Sequence, residues 1–277
     1  MDYKELTIRL FPRDPYADIL MAFLGELGFE SFVENDDGFM AYIQNSNYPP
    51  FIEWPNIIKE QRVKLFSAAE TIPGRNWNLE WESNFIPVVI ENKCLVKASF
   101  HHVENKYPYE IIIDPKMSFG TAHHETTYMM MALMMEYDMD KKAILDIGSG
   151  TGVLAILAEK LGAKSIKAVD NDPWCFENAK ENIINNKCRN TEALLGNAES
   201  VAGGSYDIVL ANINRNILLD DMPRYSDMLK PGGMLFMSGF YEKDKRIIIS
   251  KAETLGIYIF GQMERNLWSA VVLKKQT

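Results

Sequence analysis

Three glycines alternate with small polar residues in the segment Gly148-Ser-Gly150-Thr-Gly152, which follows an apolar strand and precedes an apolar helix over 153–161. Glycine lets the backbone approach a ligand closely, and a helix N-terminus presents N–H groups to an anionic group such as a carboxylate. The segment therefore predicts a nucleotide-type ligand. Its spacing disfavours NAD, because Val153 occupies the place of the third glycine of the dinucleotide fingerprint.

An acidic residue, Asp170, ends the next predicted strand, 22 residues after Gly148. A carboxylate at this place can accept hydrogen bonds from both ribose hydroxyls of an adenosine. The alternative role, capping the following helix, suits Asp172 better, because Pro173 after it favours the first helical position. We therefore expect Asp170 to bind the ribose.

An asparagine, Asn212, ends the strand predicted over 207–212, at the sheet edge where doubly wound folds bind ligands. Its amide offers a donor and an acceptor without charge, so it can orient an amine nucleophile and also contact a cofactor. Asn212 is the predicted catalytic residue; the alternative is that it caps the following helix. Arg215 is either a substrate contact or a solvated residue at the helix start.

The histidines and cysteines show no metal-ligand spacing. His123 and His124 are adjacent on a polar loop, where two side chains rarely converge, and Cys94, Cys175 and Cys188 form no CxxC pair. We expect no metal site and no disulfide framework, and loop-ordering roles for the histidines. Unpaired cysteines are typical of a reducing cytoplasm.

The glycine turn, Asp170 and Asn212 together resemble the class I S-adenosylmethionine-dependent methyltransferases. A more specific likeness lies upstream: the loop Asp114-Pro-Lys-Met-Ser-Phe-Gly-Thr-Ala-His-His-Glu-Thr-Thr127 resembles the loop that the ribosomal protein L11 methyltransferase family places before its glycine motif. That family also has a small ferredoxin-like N-terminal domain and a helical linker rich in Trp and Glu, which residues 77–82 resemble. The likeness covers essentially the whole chain.

The resemblance implies S-adenosylmethionine as the cofactor, bound by Thr127, Gly148, Asp170 and Asn212, with Gly150 in the same turn. It implies N-methylation of lysine side chains and of the N-terminal α-amine in a large-subunit ribosomal protein. The loop departs from the family pattern at three positions, none of them a carried position: Ala122 replaces glycine, His123 a small polar residue and Glu125 proline.

Hydrophobic periodicity predicts the elements that position these residues. Residues 1–72 follow the order βαββαβ, a ferredoxin-like module with helices over 14–28 and 56–66, which we interpret as the substrate-recognition domain. Residues 73–85 are predicted to form a linker helix, because Trp77, Trp81 and Phe85 recur at a spacing of four.

Residues 86–277 are predicted to form the methyltransferase domain. After three short strands and a Met-rich core helix over 126–137, strands alternate with helices and end in a hairpin. This order predicts a doubly wound, mostly parallel, seven-stranded, Rossmann-like sheet with one antiparallel strand near its edge. The strands are predicted at 143–147, 165–170, 192–195, 207–212, 234–238, 258–262 and 268–273.

Charge restricts the partners. The 277 residues carry a net charge of −9, which argues against nucleic acid as a direct partner. Residues 1–84 hold 7 basic and 14 acidic residues, and this acidic third favours a basic partner such as a ribosomal protein; the alternative is a surface that only maintains solubility. The absence of a long apolar run or a basic leader predicts a soluble, cytoplasmic protein, and we expect a monomer.

Three other functions fit parts of the sequence. A methyltransferase for another protein or for a small-molecule amine would keep the same glycine turn and Asp170. The joint presence of Thr127, Gly148, Asp170 and Asn212 disfavours a non-catalytic nucleotide-binding or ribosome-associated module. The glycine spacing disfavours an NAD-dependent dehydrogenase.

Overall fold

The computed structural model describes residues 2–72, 86–104, 106–114 and 118–277. The chain divides into two compact units, residues 1–85 and 86–277. The linker helix predicted over 73–85, with Trp77, Trp81 and Phe85, lies outside the described residues. Within the described ranges, no helix has both the length and the apolar character needed to cross a membrane.

The described part of the N-terminal unit is a four-stranded antiparallel sheet in the order β2-β3-β1-β4, with helices packed on one face. Its elements are β1 (Tyr3–Phe11), α1 (Tyr16–Glu26), β2 (Ser31–Asn35), β3 (Gly38–Gln44), α2 (Asn56–Glu60) and β4 (Lys64–Ile72). Strand β1 alternates because Leu6, Ile8 and Leu10 face the core. The predicted βαββαβ order is confirmed.

Helix α2 is shorter than the prediction of residues 56–66. It ends at Glu60, and Lys64, Leu65 and Phe66 belong to β4 instead, where they pair with Phe11, Leu10 and Arg9 of β1. Pairing with a central strand outweighs local helix propensity for these residues, a common outcome because propensities amount to only tenths of a kcal/mol per residue.

The C-terminal unit contains a three-stranded sheet, β5-β6-β7, and a seven-stranded sheet in the order β10-β9-β8-β11-β12-β14-β13. The strands are β5 (Val88–Ile90), β6 (Cys94–Lys97), β7 (Tyr109–Ile112), β8 (Ala143–Ile147), β9 (Ser165–Asp170), β10 (Thr191–Leu195), β11 (Tyr206–Asn212), β12 (Leu229–Tyr241), β13 (Ile257–Arg265) and β14 (Trp268–Lys275). The helices are α3 (Glu125–Met134), α4 (Val153–Lys160), α5 (Pro173–Asn185), α6 (Arg215–Met228) and α7 (Lys245–Glu253). A short 3₁₀ turn, Glu242–Asp244, precedes α7.

Both faces of the large sheet are covered by helices. One core cluster contains side chains of α3, α4 and α5, and a second contains those of α6 and α7. Met129, Met130, Met131 and Met134 of α3 are fully buried, as expected for core-filling methionines. The predicted doubly wound, mostly parallel fold is confirmed.

Strand β14 lies between β12 and β13 and is antiparallel to both, although it follows β13 in the chain. Strands β8 and β11 are direct neighbours near the centre of the sheet, and both are parallel to their other neighbours β9 and β12. The carboxyl ends of β8, β9 and β11 therefore meet at one sheet edge, where a doubly wound fold binds its ligand.

An asparagine ladder formed by Asn178 and Asn182 of α5 and by Asn186, the C-cap of that helix, binds the end of β7 and the segment that follows it. Asn186 exchanges two hydrogen bonds with the backbone of Ile112, and Asn182 Oδ1 accepts from the Asp114 N–H at 3.0 Å. The Asn182 amide also donates to the Thr151 carbonyl, and Asn178 to that of Asp114. The ladder fixes the start of the polar loop against the glycine turn.

Candidate active site

The glycine turn after β8 is held tightly by its neighbours. Gly148 and Gly150 have φ of +68° and +54°, and an added Cβ would clash with the side chain of Ile213 at Gly148 and with the carbonyl oxygen of Phe119 at Gly150. Glycine is required at both positions for conformation and for space. The turn therefore packs against Ile213, the residue after Asn212, on one side and against Phe119 of the polar loop on the other.

The amides of residues 148–152 all donate to protein oxygens. Gly148 and Ser149 donate to the Val169 carbonyl, Thr151 to that of Phe119 and Gly152 to that of Ser149, while Gly150 donates to the Asp170 carboxylate. All five amides of the turn therefore have protein acceptors, whereas the expectation of free N–H groups concerned the N-terminus of α4, which begins at Val153. What the glycines provide is close approach of the turn backbone to the neighbouring segments at Ile213 and Phe119.

Asp170 lies at the end of β9 directly beside this turn. Its Oδ2 accepts from Gly150 N at 2.8 Å and its Oδ1 accepts from Asp172 N at 3.0 Å. A carboxylate has about four lone-pair sites, so two remain for a ligand. Asp172 caps α5 by accepting from Trp174 N at 2.8 Å, which confirms Asp172 as the predicted cap of this helix.

Asn212 and Thr127 are brought together across 85 residues of chain. Asn212 Nδ2 donates to Thr127 Oγ1 at 3.2 Å, and both side chains are buried. Asn212 Oδ1 is also buried and has no partner among the described residues. A buried carbonyl oxygen without a donor is costly, so this atom favours a ligand that brings an N–H.

Two more buried oxygens at the glycine motif have no partner in the described structure, Asp146 Oδ1 and Ser149 Oγ. Asp146 is fully buried, with Oδ2 accepting from Ala155 N at 3.2 Å. The pKa of Asp146 is raised to about 7, chiefly by burial and with a contribution from the nearby Asp170 charge, while the Ala155 N–H opposes the shift. These unsatisfied acceptors fit a polar ligand that carries positive charge and hydroxyl donors.

The polar loop closes over the glycine turn through Thr151. Thr151 N donates to the Phe119 carbonyl at 3.0 Å, and its hydroxyl donates to that of Gly120 at 2.5 Å. Ala122 adopts φ of +66°, the conformation that glycine takes at lowest cost. Alanine is thus accommodated at this position in a left-handed backbone conformation, which favours glycine.

Both histidines order this loop. His124 caps α3, with Nδ1 accepting from Thr126 N at 3.3 Å, and His123 Nε2 lies 2.8 Å from the Ile86 carbonyl oxygen. No group of three or more His, Cys, Asp or Glu side chains in the described ranges could hold a metal ion. Glu125 bonds Arg265 and Asn266 and ties the start of α3 to the β13–β14 hairpin.

Sequence reasoning missed an aromatic cluster at the same edge. The His124 ring contacts Phe119 and Trp268, at 5.1 and 4.7 Å between ring centroids, and Trp268 stacks on Tyr241 at 4.1 Å. Trp268 follows His124 by 144 residues, so no local spacing connects them. The sequence signal for this cluster was limited to the polar loop, where the aromatic residues Phe119 and His124 both lie shortly before Thr127.

The chain matches a family model described as ribosomal protein L11 methyltransferase over residues 33–276. A protein of that name from Phocaeicola vulgatus is 41% identical over 98% of each chain. Another from Porphyromonas gingivalis is 44% identical over 92% of this chain and 89% of its own.

Among solved structures, a ribosomal protein L11 methylase from Lactobacillus delbrueckii subsp. bulgaricus superposes with a TM-score of 0.65. It is 24% identical, and the match covers 70% of this chain and 100% of that one. At this identity the likeness supports the fold.

Proposed function

Because the chain belongs to the ribosomal protein L11 methyltransferase family, we propose that it transfers methyl groups from S-adenosylmethionine to amines of ribosomal protein L11. The acceptors are lysine side chains and the N-terminal α-amine. One observation carries the proposal for the site: Asp170, Gly150 and Asn212, which holds Thr127, lie at the carboxyl ends of three consecutive strands, β9, β8 and β11, so cofactor and amine groups converge there.

The residues present fit S-adenosylmethionine. Asp170 retains lone pairs for the two ribose hydroxyls and lies directly beside the glycine turn. Asp146 Oδ1 and Ser149 Oγ, buried and unpartnered among the described residues, add acceptor capacity beside the turn. When bound, the cofactor supplies a methyl group already activated by its sulfonium, so the protein needs mainly to align the acceptor.

Asn212 aligns the acceptor amine. Its Nδ2 is held by Thr127, which fixes the amide plane and leaves Oδ1 to accept an N–H from the amine. With one N–H so engaged, the nitrogen lone pair is directed at the methyl group. The amine must first lose a proton, since a free lysine has a pKa of about 10.4, and burial near a cation lowers that pKa.

The N-terminal unit docks the substrate. Residues 1–84 carry a net charge of −7, and ribosomal proteins are generally basic, so the charges are complementary and speed encounter. The enzyme acts in the cytoplasm and makes no direct contact with nucleic acid, and we propose that it is a monomer. The three free cysteines, Cys94, Cys175 and Cys188, support the cytoplasmic location, and the net acidity supports the absence of nucleic-acid contact.

The test is mass spectrometry of a ribosomal protein mixture incubated with the enzyme and isotopically labelled S-adenosylmethionine. We expect label on amines of L11, and label that accumulates about 100-fold more slowly when Asn212→Ala replaces the wild type. Label on a different ribosomal protein would redirect the assignment to that protein. Label on none of them would make a small-molecule amine the better acceptor.

A further inference from the structure

A groove of about 400 Å³ lies beside the candidate active site. Its walls come from the start of α6, the end of β12 with the following turn, and the start of β14. The groove is lined by, among others, Asn216, Arg215, Tyr241, Lys243, Asp244 and Trp268. Arg215 is three residues beyond Asn212, so the groove opens at the same sheet edge as the amide that aligns the acceptor.

Arg215 is held rigidly in this groove although its side chain is 43% exposed. Its Nη1 donates to Asp244 Oδ1 at 2.8 Å, and its Nε and Nη2 donate to Asn216 Oδ1 at 3.1 and 3.0 Å. A guanidinium has five N–H groups, so two remain without an acceptor in the described structure. Because the side chain is already ordered, a ligand that takes these two loses little conformational entropy.

Two local preferences are violated to build this pair. Arg215 is the first residue of α6, where the helix dipole disfavours a cation. Asp244 holds the N-cap position of α7, yet its carboxylate makes no capping hydrogen bond and binds Arg215 instead. An arrangement that is unfavourable for helix stability is expected at a functional site, because there it is retained for function.

The groove carries an excess of positive charge and adjoins the aromatic cluster. Lys243 lies over the Tyr241 ring at 5.5 Å. The groove lining thus contains two cations, Arg215 and Lys243, and one carboxylate, Asp244. Tyr241 stacks on Trp268, whose edge meets His124 next to Thr127. Hydrogen-bond donors in a cationic groove suit oxygen acceptors, and Trp268, which lines the groove, also contacts the His124 ring of the polar loop.

We propose that this groove binds main-chain carbonyl oxygens of the polypeptide segment that carries the acceptor amine, with Arg215 as the positioning residue. The inference rests on the proposed function, because the segment belongs to the protein substrate. It adds a second contact region for that substrate, within the catalytic unit, that holds the chain while Asn212 aligns the amine. A free small amine has no such segment and gains nothing from the groove.

The test compares steady-state methylation of purified ribosomal protein L11 by wild type, Arg215→Ala, Arg215→Lys and Arg224→Ala. Arg224 is the matched control, because it lies on the same helix and pairs with two carboxylates, Asp221 and Glu199. Loss of charged hydrogen bonds predicts a KM for L11 raised about 10- to 100-fold in Arg215→Ala, with kcat and cofactor affinity little changed. Arg215→Lys should show most of the same increase in KM, because an ammonium lacks the planar set of N–H donors of a guanidinium.

The outcomes separate the two proposals. If Arg215→Ala folds poorly, Arg215→Lys with an unchanged Tm supplies the same KM comparison. A wild type that methylates L11 while both Arg215 variants keep the KM of Arg224→Ala would overturn the groove alone. A wild type that leaves L11 unmodified would overturn the proposed function and the groove with it.

Discussion

The Asn212 amide is fixed at one end and open at the other, with Nδ2 bound to Thr127 and Oδ1 buried without a partner among the described residues. A group placed to act on the transition state affects turnover more than ground-state binding. We expect Asn212→Ala to lower kcat about 100-fold, the scale of losing one preorganised polar contact, and to weaken cofactor binding less.

Turnover kinetics with L11 and calorimetry with S-adenosylmethionine measure the two effects. Asn190→Ala, a surface asparagine before β10, is the control and should change neither. Equal losses in affinity and turnover would reduce Asn212 to a cofactor contact.

Asp170 connects the ribose position to the glycine turn, because one of its oxygens already binds Gly150. Asp170→Ala is expected to weaken S-adenosylmethionine binding by about 1–3 kcal/mol, through lost hydrogen bonds to a charged group. Asp172→Ala is the matched control: it removes the α5 cap and should cost about 1 kcal/mol of stability without changing affinity. Calorimetry that finds NAD binding, or the same affinity in Asp170→Ala, would contradict the assignment.

Asp146 makes the stability of the ligand-free protein depend on pH. Its pKa is raised to about 7 by burial, against about 3.9 in an unfolded chain. Between these values the folded state binds more protons than the unfolded state, so this residue's contribution to stability falls as the pH rises from about 4 to 7.

Urea unfolding of wild type and Asp146→Asn at pH 5 and pH 7 tests this sign. The variant should gain on the wild type by about 1–3 kcal/mol over that interval, since it has no proton to lose. A difference between the two proteins that stays constant with pH would show that Asp146 does not titrate there.

At the scale of elements, the asparagine ladder replaces a strand partner for the backbone after β7. Asn182 is fully buried and bonds both Asp114 N and the Thr151 carbonyl, so Asn182→Ala leaves two buried backbone groups unpaired. We expect a loss of about 2–4 kcal/mol in the free energy of unfolding.

Chemical denaturation measures this loss, with Ile184→Ala, an exposed position on the same helix, as control, expected within about 0.5 kcal/mol of wild type. A loss in Asn182→Ala no larger than in Ile184→Ala would mean that the ladder does not hold the loop.

Local patterns explain which elements sequence reasoning predicts. The glycine turn, the strand that ends at Asp170 and the Asp172 cap are each encoded within a few residues, and the structure has them as predicted. The end of α2 was mistaken because β4 takes its residues by pairing with β1, a contact between segments more than 50 residues apart. The ladder was missed because asparagines in a helix read as weak helix formers until a backbone partner is known.

The candidate site divides in the same way. Thr127, Gly148, Asp170 and Asn212 were placed by motif, whereas Trp268 stands on a late strand with no motif around it. Its contact with His124 depends on the insertion of β14 beside β12, which is a property of the whole sheet.

At the scale of the whole molecule, the chain separates an acidic unit from the unit with the cofactor residues. A variant that begins at residue 73 should retain S-adenosylmethionine binding and lose most methylation of intact L11. Added salt should slow association of the full-length enzyme, because charges are screened beyond about 8 Å at physiological ionic strength.

Calorimetry, methylation kinetics and stopped-flow association measure these three expectations. Methylation of L11 by the truncated variant at the full-length rate would remove the recognition role of residues 1–72.

The position of β14 also sets an order of assembly during synthesis. Strand β13 emerges from the ribosome before β14, yet at the sheet edge it pairs with β14 and must wait for it. Strands β8 and β9, with Asp170 and Gly150, come out much earlier and need no later strand to pair with each other. A nascent chain thus pairs β8 with β9 and brings Asp170 beside Gly150 before Trp268 arrives, and the edge of the sheet is completed last.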